Sequence, residues 1–170
     1  IQSPFQTVDW PVAAPLATRA KPVKKLEDDY PVVLYQDVIW GDMDAFGHIN
    51  NTVYFRYFED ARIAYFDKIG VHEHKEKMQI GPILATTHCN FKLPLAYPDR
   101  VQIVARSRIL SAKKFNMYYA VYSERLGGMA AEGEGLLVYY DYAVGKSCEI
   151  PDAVVTAINA LEQQAAPAGH

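Results

Sequence analysis

"WGDMDAFGHINNTVYFRYFEDAR", residues 40–62, passes from a polar run straight into an aromatic one. The polar half holds Asp42, Asp44, His48, Asn50 and Asn51 together with Gly41 and Gly47, the composition of a turn. The aromatic half is periodic. Val53, Tyr54, Tyr57, Phe58, Ala61, Ala64 and Tyr65 recur at helical spacing and form one wide apolar stripe. Asn50, Asn51 or Thr52 can cap the start of this helix, and Gly70 is a plausible stop. So much aromatic surface on one face needs a broad partner, most simply a sheet.

The flanking segments supply strands. Ahead of the turn, "VVLYQDVIW" (32–40) is rich in β-branched and aromatic residues and reads as a strand buried on much of both faces. Behind the helix come "GPILATTHCNFKL" (81–93), "RVQIVARSRIL" (100–110), "FNMYYAVYSE" (115–124) and "AAEGEGLLVYYDY" (130–142). In the second of these Val101, Ile103, Ala105 and Ile109 alternate with Arg100, Gln102, Arg106 and Arg108, which predicts one apolar and one polar face. "SAKK" and "RLGGM" read as hairpin turns, and Gly133 and Gly135 mark a bulge or the close approach of another backbone. Pro151 opens a last amphipathic helix carrying Val154, Val155, Ile158 and Leu161. "HEHK" (72–75) falls in a loop after the first helix. Consecutive hairpins imply an antiparallel sheet around the long helix, an α+β domain over residues 32–164. Residues 1–31, with five of the ten prolines, read as an extension that hugs or links to the domain, and 165–170 as a mobile tail.

Bulk properties narrow the function. A net charge of −3 over 170 residues provides no basic field for nucleic acid or anionic membranes. No apolar run approaches the roughly 20 residues of a membrane span. Cys89 and Cys148 have no metal-type spacing and read as a pair of buried reduced thiols. The expected location is the cytoplasm, or an organelle matrix if a targeting segment has been removed.

On "WGDMDAFGHINNTVYFRYFEDAR" the chain resembles the hotdog-fold acyl-CoA thioesterases of the 4-hydroxybenzoyl-CoA thioesterase family. That family carries a G-D-x-D-x-x-G-H-x-N-N-like loop followed by an aromatic-rich Y-x-x-Y-x-E-x-x-R helix. The resemblance implies a sheet wrapped around the central helix, and a homodimer or tetramer with active sites at subunit interfaces. It makes Asp44 the catalytic carboxylate and puts the backbone N–H of Asn51 opposite the thioester oxygen. Some relatives use a glutamate on the central helix, for which Glu59 is the candidate. No metal or redox cofactor is implied, since coenzyme A is part of the substrate.

The residues suit that chemistry. Thioester hydrolysis needs a base or nucleophile beside the carbonyl carbon and donors for the developing oxyanion. The start of a helix offers unpaired N–H groups with partial positive charge, and a carboxylate a few residues upstream can face them across the carbonyl. Asp42 reads as a turn former that bonds backbone, and His48 as an orienting or packing residue that could also act as a base. We count Gly47, Asn50 and Tyr54 with the substrate-contacting positions. Arg106, Ser111, Lys113 and Lys114 form a basic cluster that could grip the phosphates of coenzyme A. His72 and His74 lack a third ligand, and the adjacent His88 and Cys89 point to opposite faces of a strand. Two other functions compete. A hotdog hydratase or dehydratase would carry a histidine in a D-x-N-P-[hydrophobic]-H or H-F-P pattern, absent here; a scaffold subunit docking through residues 1–31 would not need Asp44.

Overall fold

The computed structural model describes residues 26–165, so the expectations for residues 1–25 and 166–170 lie outside it. In chain order the elements are β1 (Val32–Asp37), α1 (Asn51–Lys68), α2 (Val71–Met78), β2 (Ile80–Phe91), β3 (Arg100–Ser111), β4 (Lys114–Ser123), β5 (Gly128–Asp141), β6 (Lys146–Ser147) and α3 (Asp152–Gln164). All strand pairs are antiparallel, in the order β1-β3-β4-β5-β2, with the short β6 added beside β5. The sheet wraps α1, the hotdog arrangement that the motif implied.

The helix stripe is buried as its periodicity demands. Val53, Tyr54, Tyr57, Phe58, Ala61 and Tyr65 enter one core with Ile103, Ala105, Phe115, Met117, Tyr119, Leu137 and Tyr139 from the sheet. Each large side chain so buried contributes about 1.5–3 kcal/mol, far more than helix propensity does. Two glycines make room for this packing. A Cβ on Gly133 would stand 2.4 Å from both the His88 carbonyl oxygen and the Phe58 ring, and Phe58 lies stacked on Tyr119 with centroids 4.9 Å apart. A Cβ on Gly135 would stand 2.9 Å from the Leu84 side chain. The expected close approach of backbone is therefore real at Gly133, with an aromatic ring added to it. α3 closes the open end of the core with Val154 and Ile158.

Several expectations need correction. β1 stops at Asp37 and is an edge strand: Val32 and Val38 are buried, whereas Tyr35, Ile39 and Trp40 are exposed. An edge strand has one neighbour to cover it, so hydrophobic content alone overstated its burial. The "HEHK" segment is helical, because Gly70 and Gln79 adopt left-handed conformations that set off α2 at both ends. The polar face of β3 is not wholly solvated either. Gln102 and Val104 are buried, and Val104 packs with Ala120 and Tyr122 under Leu26 and Tyr30 of the leading segment. That segment is tied down by the Tyr35 hydroxyl donating to Glu27 and by Lys68 Nζ donating to the Pro31 carbonyl. The two cysteines are half-buried free thiols packed against the core.

Candidate active site

The connection from β1 to α1 folds into a small closed turn. Met43 and Ile49 form a β-bridge, the Asp44 N–H donates to the His48 carbonyl (2.8 Å), and the Gly47 N–H donates to the Asp44 carbonyl (3.0 Å). Gly47 sits at φ +76°, a conformation open to glycine at little cost. The turn is fastened on both sides. Ile49 N–H donates to the Leu95 carbonyl, Asn50 N–H donates to the Asp42 carbonyl, and the Asp42 carboxylate receives Arg56 Nη2 at 2.6 Å. Asp42 therefore does shape the loop, but its side chain does so through an ion pair and its carbonyl through backbone.

Asn50 is the N-cap of α1. Its side-chain oxygen accepts from the Thr52 N–H (3.0 Å) and the Thr52 hydroxyl (2.8 Å), and its carbonyl accepts from the Val53 N–H. The backbone N–H groups of Ile49, Asn50, Thr52 and Val53 are thus all engaged. Among the described residues the Asn51 N–H alone in this run has no acceptor, as befits the first position of a helix.

Asp44 and this helix start line one cavity of about 360 Å³, with His48, Ile49, Tyr54, Phe91, Lys92, Leu93 and Pro94. Asp44 is half-buried, and its Oδ1 accepts the Phe46 N–H at 2.8 Å, which fixes the carboxylate's orientation. Burial raises the Tyr54 hydroxyl above its ordinary pKa, a hydrogen bond with the Leu95 backbone opposing this, so it stays a neutral phenol at pH 7. The apolar wall is Ile49, Leu93, Pro94 and the Tyr54–Phe91 pair, whose rings meet edge to face at 5.1 Å.

The other expected site residues lie elsewhere. Gly47 and Asn50 shape the turn and the helix start rather than the cavity wall. Glu59 is exposed on the flank of α1, 3.6 Å from Arg62, and does not line the cavity. Arg106 reaches Glu162 at 3.5 Å. Ser111, Lys113 and Lys114 form the β3–β4 turn at the opposite end of the sheet. Through the strand register Phe91 lies level with Ile103, eight residues or about 26 Å along β3 from Ser111. The wall formed by Phe91–Pro94 escaped the sequence reading. Its signal is the "KLPLAYP" break at the end of β2, where the Lys92 and Leu93 N–H groups both donate to the Ala130 carbonyl and turn the chain across the cavity.

The weaker constellations do not assemble. His72 pairs with Asp67 at 3.3 Å and His74 bonds the Gly70 carbonyl, and no trio of potential metal ligands converges among the described residues. His88 faces Glu134 on the outer side of the sheet, while Cys89 packs inward, where burial pushes its thiol up to about 11. No helix among the described residues is long and apolar enough to cross a membrane.

Comparison with known proteins agrees with this geometry. Residues 38–158 match the model of the thioesterase-like superfamily. A thioesterase from Thermus thermophilus, solved with coenzyme A and zinc, is 31% identical with a TM-score of 0.70, covering 79% of this chain and 96% of that one. A gentisyl-coenzyme A thioesterase is 27% identical with a TM-score of 0.64, over 75% and 99% of the two chains. The L-carnitine dehydrogenase/betainyl-CoA thioesterase of Agrobacterium fabrum is 24% identical over 141 residues, 82% of this chain and 29% of that protein. The chain belongs to the thioesterase-like superfamily and is a hotdog-fold thioester hydrolase.

Proposed function

We propose that the protein hydrolyses an acyl-coenzyme A, with Asp44 as general base and the Asn51 N–H as oxyanion donor, and without a metal or redox cofactor. The observation that carries this reading is the cavity that unites the Asp44 carboxylate with the one helix-start N–H left unengaged in its run. With the thioester oxygen on the Asn51 N–H, the carbonyl carbon faces Asp44. Asp44 takes a proton from water, the hydroxide oxygen bonds to carbon, and the oxyanion rests on the N–H and the positive end of α1. Collapse breaks the C–S bond, and the proton returns to sulfur to release free acid and thiol. The fixed Oδ1 suits a base that must hold its geometry through the cycle.

The apolar wall of Tyr54, Phe91, Leu93 and Pro94 suits an acyl group, and the Thermus relative binds coenzyme A. A homodimer joined edge to edge through β2 is part of the same reading. β2 is a 12-residue edge strand with most of its residues exposed, including Ile83, Leu84 and Phe91, a template for pairing. Antiparallel pairing of two such strands reverses one sheet against the other. It brings the Ser111–Lys114 turn of one copy to the end where the other copy's cavity opens, about 14 Å or three strand spacings away, as a grip for phosphates.

The test is thiol release from a panel of acyl-CoAs by the native protein and by Asp44→Asn. Near-native turnover by Asp44→Asn on every substrate used by the native protein sinks the assignment. A single turnover in ¹⁸O-water separates the two roles of the carboxylate: label confined to the product acid means a base, label in Asp44 means a nucleophile.

A further inference from the structure

The core-facing side of β2 is covered by its own protomer at Cys89 and, in part, at Phe91, but not along the rest of the strand. In the β2–β5 register Leu84, Thr87 and Phe91 stand opposite Leu137, Gly135 and Ala131. Directly opposed residues share a face, and Leu137 and Ala131 are core residues, so these three point to the side on which α1 lies. Yet all three are exposed. A cleft therefore runs between α1 and β2, open along the same edge that would pair with a second copy.

Two opposite charges stand on the helix wall of this cleft. Phe58, one turn before Arg62, touches Gly133 of β5, and Arg62 itself lies beside the Tyr119 hydroxyl of β4, so this flank of α1 stands over β4 and β5, on the side of the sheet that ends in β2. The Arg62 side chain is only 12% exposed. Its one carboxylate contact among the described residues is Glu59 Oε1 at 3.6 Å, too long for a hydrogen bond, and that Glu59 side chain is 62% exposed. The Tyr119 hydroxyl, its acceptor from the sheet, carries no charge, and a guanidinium this far out of water is stabilised further by a close carboxylate that offsets its desolvation. Glu59, turned outward, is not that carboxylate within its own helix.

We propose that the carboxylate comes from a second copy of the chain: Arg62 of each subunit pairs with Glu59 of the partner subunit. This rests on the edge-to-edge dimer above. A two-fold axis normal to the joined sheet keeps both helices on one side and sets them antiparallel across the two partly uncovered β2 faces. In such an isologous contact, if Arg62 meets Glu59 of the partner subunit, then Glu59 meets the partner's Arg62. Spaced three apart, the two residues form a self-complementary patch, so the two long intrahelical contacts of the dimer, one in each subunit, are exchanged for two close intersubunit ones. The pairs would lock the register of the β2 edges, and with it the position of each basic turn relative to the other subunit's cavity.

The test uses two differently tagged full-length chains, Glu59→Arg and Arg62→Glu. The first carries two positive positions in the patch and the second two negative ones, so each chain repels its own kind. The native protein is expected to be dimeric, and each variant alone to dissociate at least about tenfold more readily, read by native mass spectrometry over a dilution series. Mixed, they are expected to form the heterodimer in at least about tenfold excess over either homodimer. A contact that stays within one helix gives no such preference. Variant homodimers as tight as the native one, or a mixture of folded chains that stays statistical or monomeric, overturn the proposal. Circular dichroism establishes folding. Should a reversal unfold the chain, Arg62→Gln and Glu59→Gln replace it, and two neutral variants with native dissociation constants overturn the proposal equally. A monomeric native protein overturns the dimer and this pairing together, while the hydrolysis assay judges the thioesterase reading by itself.

Discussion

Asp44 and Glu162 are both carboxylates held by a backbone N–H, and they serve opposite ends. Asp44 Oδ1 accepts the Phe46 N–H at 2.8 Å and the group stands at the wall of a cavity. Glu162 Oε1 accepts the Ser107 N–H at 2.6 Å and the Tyr65 hydroxyl at 2.8 Å, while Oε2 faces Arg106. The reason for the second arrangement lies in the sheet. β1 pairs with β3 only as far as Ala105, so from Ser107 onward the edge of β3 has no strand beside it. Glu162, reaching over from α3, fills that gap and ties it to the central helix. One acid is oriented and left open to a ligand; the other is enclosed by its own fold. A carboxylate's role follows from what lies around its remaining lone pairs.

This comparison makes separable predictions. Asp44→Asn keeps an oxygen for the Phe46 N–H and loses the carboxylate proposed as the base. The hydrolytic kcat/KM should fall by about 10²–10⁴, with the melting temperature unchanged. Glu162→Ala should do the reverse. It strands the Ser107 N–H and leaves the Tyr65 hydroxyl only Ser107 Oγ as a partner, and should lower unfolding free energy in urea by about 2–3 kcal/mol while the folded fraction keeps its turnover. If Glu162→Ala cost activity in proportion to Asp44→Asn at full stability, the division between the two carboxylates would collapse.

The sequence shows these two acids unequally, and the reason is physical. Asp44 lies in a dense local pattern, a turn followed at once by a capped helix, so its neighbours in space are its neighbours in the chain. Glu162 is 55 residues from Ser107 and 97 from Tyr65, and nothing local announces the contact. The same rule sorts the rest. The α1 stripe, the hairpins and the Gly133 approach are all visible as short-range periodicity or as a glycine in a strand. α2 was unreadable because Val71 is its one buried residue. Its support comes instead from the Glu73–Lys77 pair and from Lys75 over the Tyr142 ring. Burial of Gln102 depends on the leading segment crossing the outer face of the sheet, which no alternation within β3 can report. The Phe91–Pro94 wall needed knowledge of which strand end returns to the loop.

Two smaller effects sharpen the contrast. Tyr65→Phe removes one partner of Glu162 and leaves the Ser107 N–H in place, so the neutral-pH loss should be about 1–1.5 kcal/mol. It should also change the alkaline limb. Burial holds the Tyr65 hydroxyl's pKa well above its ordinary value. The unfolded chain therefore releases this proton as pH rises through about 10, while the folded chain keeps it. More protons are then bound in the folded state, so native stability falls with pH above about 10, by up to about 1.4 kcal/mol per unit for this residue. In Tyr65→Phe that slope should be shallower, measured as urea midpoints between about pH 9 and 11; an unchanged slope means Tyr65 ionises freely and the clasp is loose. The least change is expected from Arg106→Gln. Its guanidinium is 41% exposed and 3.5 Å from Glu162, so solvent screens it and the stability loss should stay below about 1 kcal/mol. A larger loss would mean that the charge pair, rather than the N–H and hydroxyl donors, holds Glu162, and the likeness to the backbone-held Asp44 would no longer stand.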